Sequence, residues 1–397
     1  MTAPAGLAAL WPLERGIAFL NHGSYGACPR EVLDHQAALR EEMEAEPVRF
    51  LGRDLEGRLD TAREALGAFV GADADDLAFI SNATSGVNAV LRSLAFSAGD
   101  ELLTTDHAYA ACRNTLDFVA QRTGARVIVA VIPFPVSSPD AIVDTVMAKV
   151  TPRTRLMLLD HITSPTGFIL PAERLIAELS RRGVETLVDG AHAPGMIPLD
   201  LRTLGATYYS ANCHKWMCAP KGSAFLWVRR DRQADIHPLT ISHGATGVRP
   251  GRSRFRLEFD WTGTLDPTAW LTVPKAIAYM GSLVSGGWPA LMARNRALAL
   301  AARELLCAAA GSAPPSPGGM IGSLASIVLP DSPTVETGWR IRDPIQGRLF
   351  DDWGIELPIM RWPTPPKRLL RISVQLYNTP GQYVRLAEAL RKELAAE

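Results

Sequence analysis

The sequence predicts an α/β protein, a mostly parallel seven-stranded sheet flanked by helices, with a smaller α+β domain toward the carboxyl end. Three observations carry this. From about residue 76 to 230, short apolar β-rich runs alternate with amphipathic helical stretches, the pattern of a parallel sheet covered on both faces. Beyond residue 265 long helical segments are followed by strand-like ones, an α+β arrangement. The length, 397 residues, exceeds what one small core needs. A large domain over 17–265 and a small one over 1–16 and 266–397 are therefore expected.

In chain order, "DLAFIS" leads into "TSGVNAVLRSL", "ELLTT" into "AYAACRNTLDFVAQR", "RVIVAVI" into "DAIVDTVMAKV" and "RLMLLDHI" into "AERLIAELSRRG". "VETLVD", "ATYYSAN" and "SAFLWVR" complete the seven strands. Helical "AWLTVPKAIAYMGSLV" and "PALMARNRALALAARELLCAAA" then precede a loop, "GSAPPSPGG". Strands "IGSLASIVL", "IELPIMRW" and "RLLRISVQL" and a last helix, "GQYVRLAEALRKELAAE", close the chain.

Lys+Arg and Asp+Glu each number 41, so bulk charge gives no attraction to nucleic acid or to an anionic membrane. The start, "MTAPAGLAALWPLERG", lacks a basic region before a long apolar one, and no run of about 18 uncharged apolar residues occurs anywhere. Neither export nor a membrane span is expected. Five scattered cysteines, Cys28, Cys112, Cys213, Cys218 and Cys307, fit a reducing compartment, hence the cytoplasm, better than a disulfide framework. Cys213, His214 and Cys218 lack the spacing of a zinc knuckle, so no metal is expected.

Ligands of such sheets sit beyond the carboxyl ends of the strands. There the sequence places Ser81 to Gly86, then Asp106 and His107, then Thr163 and Ser164, then Asp189, and finally Asn212, His214 and Lys215. Thr84-Ser85-Gly86 opening a helix offers hydroxyls and free N–H groups to a phosphate, although the same tripeptide also serves as a plain N-cap. Asp189 ends an apolar strand, where a buried carboxylate needs a cation or a strong donor. A pyridinium nitrogen is one such partner. Lys215 lies one strand onward, and a lysine with a lowered pKa serves as Schiff-base nucleophile and proton carrier. Together the two supply what pyridoxal phosphate needs from a protein, whereas "HK" alone reads as surface.

The segments "LNHGSYGACP", "NATSGVN", "DHAYAA", "HITSPTG", "VDGAHAPG", "NCHKWMCAPKG", "GTLDPTAW" and "LLRISVQLYN" together resemble class V, fold-type I pyridoxal-phosphate enzymes, most closely the isopenicillin N epimerase-like branch, over about residues 17 to 382. The resemblance implies pyridoxal 5'-phosphate as cofactor, Lys215 as the Schiff-base lysine that also moves the α-proton, and Asp189 on the pyridine nitrogen. It implies Thr84, Ser85, Asn212 and His214 on the phosphate, His107 stacked on the ring, His192 near the phenolic oxygen, and Ser164 as a further cofactor contact. Arg371 takes the substrate α-carboxylate, with Asn21 as second contact and Tyr25 in the same substrate site. A homodimer with shared active sites is implied, in which Gly263-Thr264 reach the partner's cofactor phosphate.

Two departures loosen the implied substrate. Many relatives read "GTRDP" where this chain has Leu265 third, and "DHEYGA" where it has "DHAYAA". The bond broken is also open, because the cofactor weakens every bond to the α-carbon and the protein selects one. Desulfurases of the class carry a reactive cysteine shortly before the carboxylate arginine, and "IELPIMRWPTPPKRLLR" contains none. Epimerisation needs a second proton donor, for which Tyr25, Cys28 and Tyr109 are the candidates. β-Elimination with cleavage of a carbon–sulfur bond in a cysteine conjugate needs only Lys215 and a leaving group. Epimerase-like chemistry at the α-carbon of an amino acid or its conjugate ranks first, a carbon–sulfur lyase or a transaminating or oxidative decarboxylating enzyme of natural-product biosynthesis second. A nicotinamide oxidoreductase is disfavoured, since no G-x-G-x-x-G opens a helix after the first strands.

Overall fold

The structure, a computed structural model, describes residues 6–333 and 342–397, so residues 1–5 and 334–341 of the expected small domain lie outside it. A short strand β1 (Ala18–Phe19) precedes the large sheet. Its strands are β2 (Leu77–Ile80), β3 (Glu101–Thr105), β4 (Arg126–Ala130), β5 (Thr154–Asp160), β6 (Glu185–Asp189), β7 (Tyr208–Asn212) and β8 (Ala224–Val228). They lie in the order β2-β8-β7-β6-β5-β3-β4, and only β8 runs antiparallel, between β2 and β7.

The strands are apolar throughout because both faces are covered. Leu102, Leu158, Leu187 and Tyr208 enter one core, with helices Ala83–Ser93 and Ala110–Thr123. The next residues along, Leu103, Leu159, Val188 and Tyr209, enter the other, with helices Leu55–Val70 and Ala172–Arg181. After β4 the chain returns to place β5 on the far side of β3, reversing the strand order, and a crevice forms beyond the carboxyl ends there. Asp160 is in register with Asp189, and Asp189 with Ser210, so the polar ends of β5, β6 and β7 share one rim.

The carboxyl-terminal part holds β9 (Leu324–Leu329), β10 (Ile355–Glu356), β11 (Ile359–Met360) and β12 (Arg368–Ser373). β11, β12 and β9 form an antiparallel sheet that shares its core with helices Gly287–Ala310 and Pro380–Ala395. "IELPIMRW", expected as one strand, is two, because Pro358 offers no N–H to a ladder. Pro274 similarly divides the helix expected over "AWLTVPKAIAYMGSLV" into Thr268–Leu271 and Val273–Ser282. β10 pairs in parallel with β1, fastening the amino-terminal segment beside β12. Among the described residues no helix is long and apolar enough to cross a membrane.

Candidate active site

Between β7 and β8 the chain makes the loop that carries Lys215. Cys213 and His214 both donate their N–H to Ser223 O, at 3.1 and 3.2 Å, and Ala219 N–H reaches Cys213 O at 3.2 Å. Two glycines press on this loop. Gly26, at φ +71°, would place a Cβ 2.0 Å from His214 O, and Gly195, at φ +86°, one 2.6 Å from the Trp216 carbonyl carbon. His22 Nε2–H donates to Lys215 O at 2.9 Å while its Nδ1 accepts from the Tyr377 hydroxyl at 3.0 Å. Burial pushes the His22 pKa down to about 3, so this strut stays neutral.

A cavity of about 330 Å³ opens over the strand ends and receives Lys215, Asp189, His192, Asn212, His214, Thr84, Ser164 and Tyr25. Lys215 Nζ lies 3.3 Å from His192 Nε2. Trp216 Nε1–H can only donate, and it reaches His192 Nδ1 at 3.2 Å. The neutral ring therefore carries its proton on Nε2 and offers it to the lysine. Burial, then the charges of Lys215 and Arg371, hold the His192 pKa well below its ordinary value. Burial also lowers Lys215 to about 8, which leaves its nitrogen lone pair available close to neutral pH.

Asp189 is 4 % exposed, with Oδ1 accepting from Ala191 N–H at 3.0 Å and Oδ2 from Cys112 Sγ–H at 3.2 Å. Helix Ala83–Ser93 also begins at the cavity, capped by Asn82, whose Oδ1 accepts from Ser85 N–H at 2.8 Å. Asn212 Oδ1 takes the Ala83 N–H at 2.8 Å. The Thr84 N–H has no acceptor among the described residues and belongs to a helix start facing the cavity. His214 donates Nδ1–H to Ser223 O at 2.9 Å, leaving Nε2 for the cavity.

Arg371 stands just behind the wall, 1 % exposed. Its guanidinium donates to Ser164 O, to Ser164 Oγ at 3.3 Å and to Ser24 Oγ at 3.1 Å. Among the described residues no carboxylate pairs with it, and its Nε has no partner. Asn21 reaches this group only through Ser24, whose hydroxyl donates to Asn21 Oδ1 at 2.6 Å, while Asn21 Nδ2 is held by Glu356 at 3.1 Å.

Two expected cofactor contacts do not meet in this cavity. His107 was expected on the cofactor ring, yet it is fully buried elsewhere. Its Nδ1 contacts Thr166 Oγ1 at 2.9 Å and its ring meets that of Trp362 edge-on at 4.5 Å. An aromatic pocket of Phe134, Phe168 and Trp362 takes the imidazole, burial lowers its pKa to about 4, and Tyr109, two residues on, lines the cavity instead. Ser85 turns away because consecutive helical residues point about 100° apart; its hydroxyl bonds Ser81 and Asn82, and it borders a separate depression with Thr262. Thr264, expected at the partner's phosphate site, is exposed and apart from the cavity of its own chain. Of the proposed second acids, Cys28 is 4 % exposed, its thiol pushed up to about 12 by burial, whereas Tyr25 and Tyr109 reach the cavity.

Sequence reading also missed Ser24 and Asp160, which line the cavity, and His22, which braces the lysine loop. Asp160 had a signal: it is the one acid inside "RLMLLDHI", counted there as strand rather than as strand end.

These groups fit pyridoxal phosphate on their own chemistry. A buried carboxylate waits for a cationic nitrogen, an unpaired N–H at a helix start waits for an anion, and a lysine of lowered pKa lines the same cavity. The doubly covered sheet with this rim defines a pyridoxal-phosphate enzyme of fold type I. The family model for class-V aminotransferases matches residues 20–311. The chain is 38 % identical to the isopenicillin N epimerase of Amycolatopsis lactamdurans, over 96 % of each chain. It is 35 % identical to that of Streptomyces clavuligerus, over 95 % of each. A solved structure of the cystine C–S lyase C-DES shares its fold, with a TM-score of 0.79 at 22 % identity over 95 % of this chain and 98 % of that one. The chain belongs to the class-V aminotransferase family and is a pyridoxal-phosphate-dependent enzyme.

Proposed function

We propose that this enzyme inverts or otherwise reworks the α-carbon of an amino acid or amino-acid conjugate, as a cytoplasmic homodimer whose partner subunits each lend a Thr264 to the other's phosphate site. One observation carries the reading: a lysine of lowered pKa lines a cavity that no cysteine lines among the described residues, and just behind its wall, bonded to the lining residues Ser24 and Ser164, lies a buried arginine with no acidic partner among the described residues. Similarity to two epimerases along the whole chain supports inversion as the outcome. All five cysteines are buried, which supports the expectation that no persulfide is formed. The large domain, 17–265, would carry the cofactor groups, and the small one, 1–16 with 266–397, would bring Arg371.

Pyridoxal phosphate, when bound, supplies an electron sink that acidifies the Cα–H bond. Asp189 would hold its ring nitrogen, and Thr84, Asn212 and His214 its phosphate. Lys215 Nζ takes the Cα proton, steered by the His192 Nε2–H that already points at it. Arg371 holds the substrate carboxylate, kept in orientation by Ser24 and Ser164. Inversion needs a proton from a second group, and Tyr109 and Tyr25 are the cavity hydroxyls that can give it.

The test is the visible absorption of purified protein beside Lys215→Ala, then incubation with amino acids and cysteine conjugates in deuterated water. A visible band lost in the variant, with recovered substrate deuterated at Cα and inverted, is the expected result. Absence of the band overturns the cofactor reading. Pyruvate with a released thiol would assign the enzyme as a carbon–sulfur lyase.

A further inference from the structure

Asp189 is not the only carboxylate at the ring-nitrogen end of the cavity. Asp160 ends the neighbouring strand in direct register with it, lines the same cavity and is 3 % exposed. Paired residues on adjacent parallel strands project to the same face, so the two carboxyls stand side by side. No arginine or lysine forms an ion pair with either among the described residues; Lys215 is the nearest cation to act on Asp189. Two carboxylates cannot both ionise in so dry a place, and such a pair shares one proton.

Their surroundings are unequal. Asp189 receives two donors, Ala191 N–H and Cys112 Sγ–H. Asp160 receives only backbone donors, Tyr109 N–H at 3.3 Å and its own N–H. Asp106, ending β3 on the other flank, is occupied with Ile132 N–H at 2.9 Å. Tyr109 and Cys112 are thus the titratable groups that helix Ala110–Thr123 and its leading turn set against the pair. The Ala191, Tyr109 and Asp160 N–H donors all come from backbone, which leaves the Cys112 thiol as the side-chain donor that distinguishes the two carboxyls, in the same sense as the Lys215 charge on Asp189.

We propose that Cys112 is a positioning residue that assigns the pair's single negative charge to Asp189, leaving the proton on Asp160. Burial raises both carboxyl pKa values, with Asp189 adding to the rise of Asp160 and the Cys112 donor opposing that of Asp189, in the same sense. The consequence is functional: one negative charge, on the correct carboxyl, meets the one positive charge of a pyridinium nitrogen. Without the thiol, part of that charge moves to Asp160.

This rests on Asp189 holding the cofactor nitrogen, and the experiment separates the two claims. Apoprotein is titrated with pyridoxal phosphate, and infrared difference spectra record the carbonyl stretch of any protonated carboxyl. Wild type should show such a stretch, lost in Asp160→Asn. Cys112→Ala should weaken cofactor binding about tenfold, the value of one hydrogen bond to a charged group. Cys112→Ser, which restores a donor, and Cys112→Ala/Asp160→Asn, in which Asn cannot take the charge, should both return within about threefold of wild type, a recovery that lost packing cannot give. The proposal is overturned if the double variant binds no better than Cys112→Ala, if Cys112→Ala binds as wild type does, or if no carboxyl stretch depends on Asp160. Should wild type itself bind no cofactor, the reading of the site has failed, and this inference with it.

Discussion

Strand β12 carries two arginines, each 1 % exposed, that have opposite surroundings. Arg368 is enclosed by acids: Asp343 at 3.0 and 3.1 Å and Glu397 at 3.2 Å, with Pro330 O at 2.8 Å. Arg371, three residues on, has hydroxyls and a carbonyl but, among the described residues, no carboxylate. Burying a guanidinium without a counter-ion is costly, and burial pulls its pKa down to about 10. That contrast supports the proposed role of Arg371 as the group that receives a substrate carboxylate, whereas Arg368 is paired within the fold.

The comparison breaks most visibly if both arginines are removed in turn. Arg371→Leu should lower kcat/KM about a thousandfold, as expected for losing one partner of a desolvated charge pair, while the thermal midpoint holds or rises. Arg368→Leu should cost about 3–5 kcal/mol of stability, by stranding Asp343 and Glu397, with kcat/KM of the folded fraction unchanged. Urea unfolding and steady-state kinetics on both variants decide it, and equal loss of stability would erase the distinction.

A smaller effect concerns the second proton. Tyr109→Phe should cut inversion about a hundredfold, the weight of one general acid, while exchange of the α-proton through Lys215 survives. If Tyr25→Phe behaves so instead, the other tyrosine is the acid; chiral chromatography with deuterium incorporation distinguishes them.

Charge on the lysine side is tested by pH. With Lys215 lowered from 10.5 to about 8, its nucleophilic form is lost as pH falls through that value. Capture of pyridoxal phosphate by apoprotein should therefore slow about tenfold per unit below pH 8 and level off above it. A rate still climbing at pH 10 would show an ordinary lysine.

The smallest expected change is at Ser24, the hydroxyl linking Arg371 to Asn21. Ser24→Ala should raise KM about tenfold with kcat little altered, as suits one hydrogen bond to a charged group.

Much of this was readable along the chain. Continuous apolar runs between amphipathic stretches fixed a doubly covered sheet, because strands buried on both faces cannot alternate. Polar residues just past those runs had to converge, since parallel strands end together, and Lys215, Asp189 and Asn212 do meet at one cavity. His107 and Ser85 misled for a common reason. Next to a strand end a shift of one or two residues turns a side chain from the crevice into a core or onto another face, and only packing partners such as Trp362 decide which.

By itself, then, the sequence determined the layers, the location of the rim and the kinds of chemistry gathered there, because periodicity and residue type are local properties. Tertiary structure alone decided which tyrosine or histidine faces the cavity, that Arg371 lacks a counter-ion while Arg368 has two, and that Asp160 stands beside Asp189. Those are relations between residues far apart in the chain, and they exist only once strands have chosen their neighbours and register.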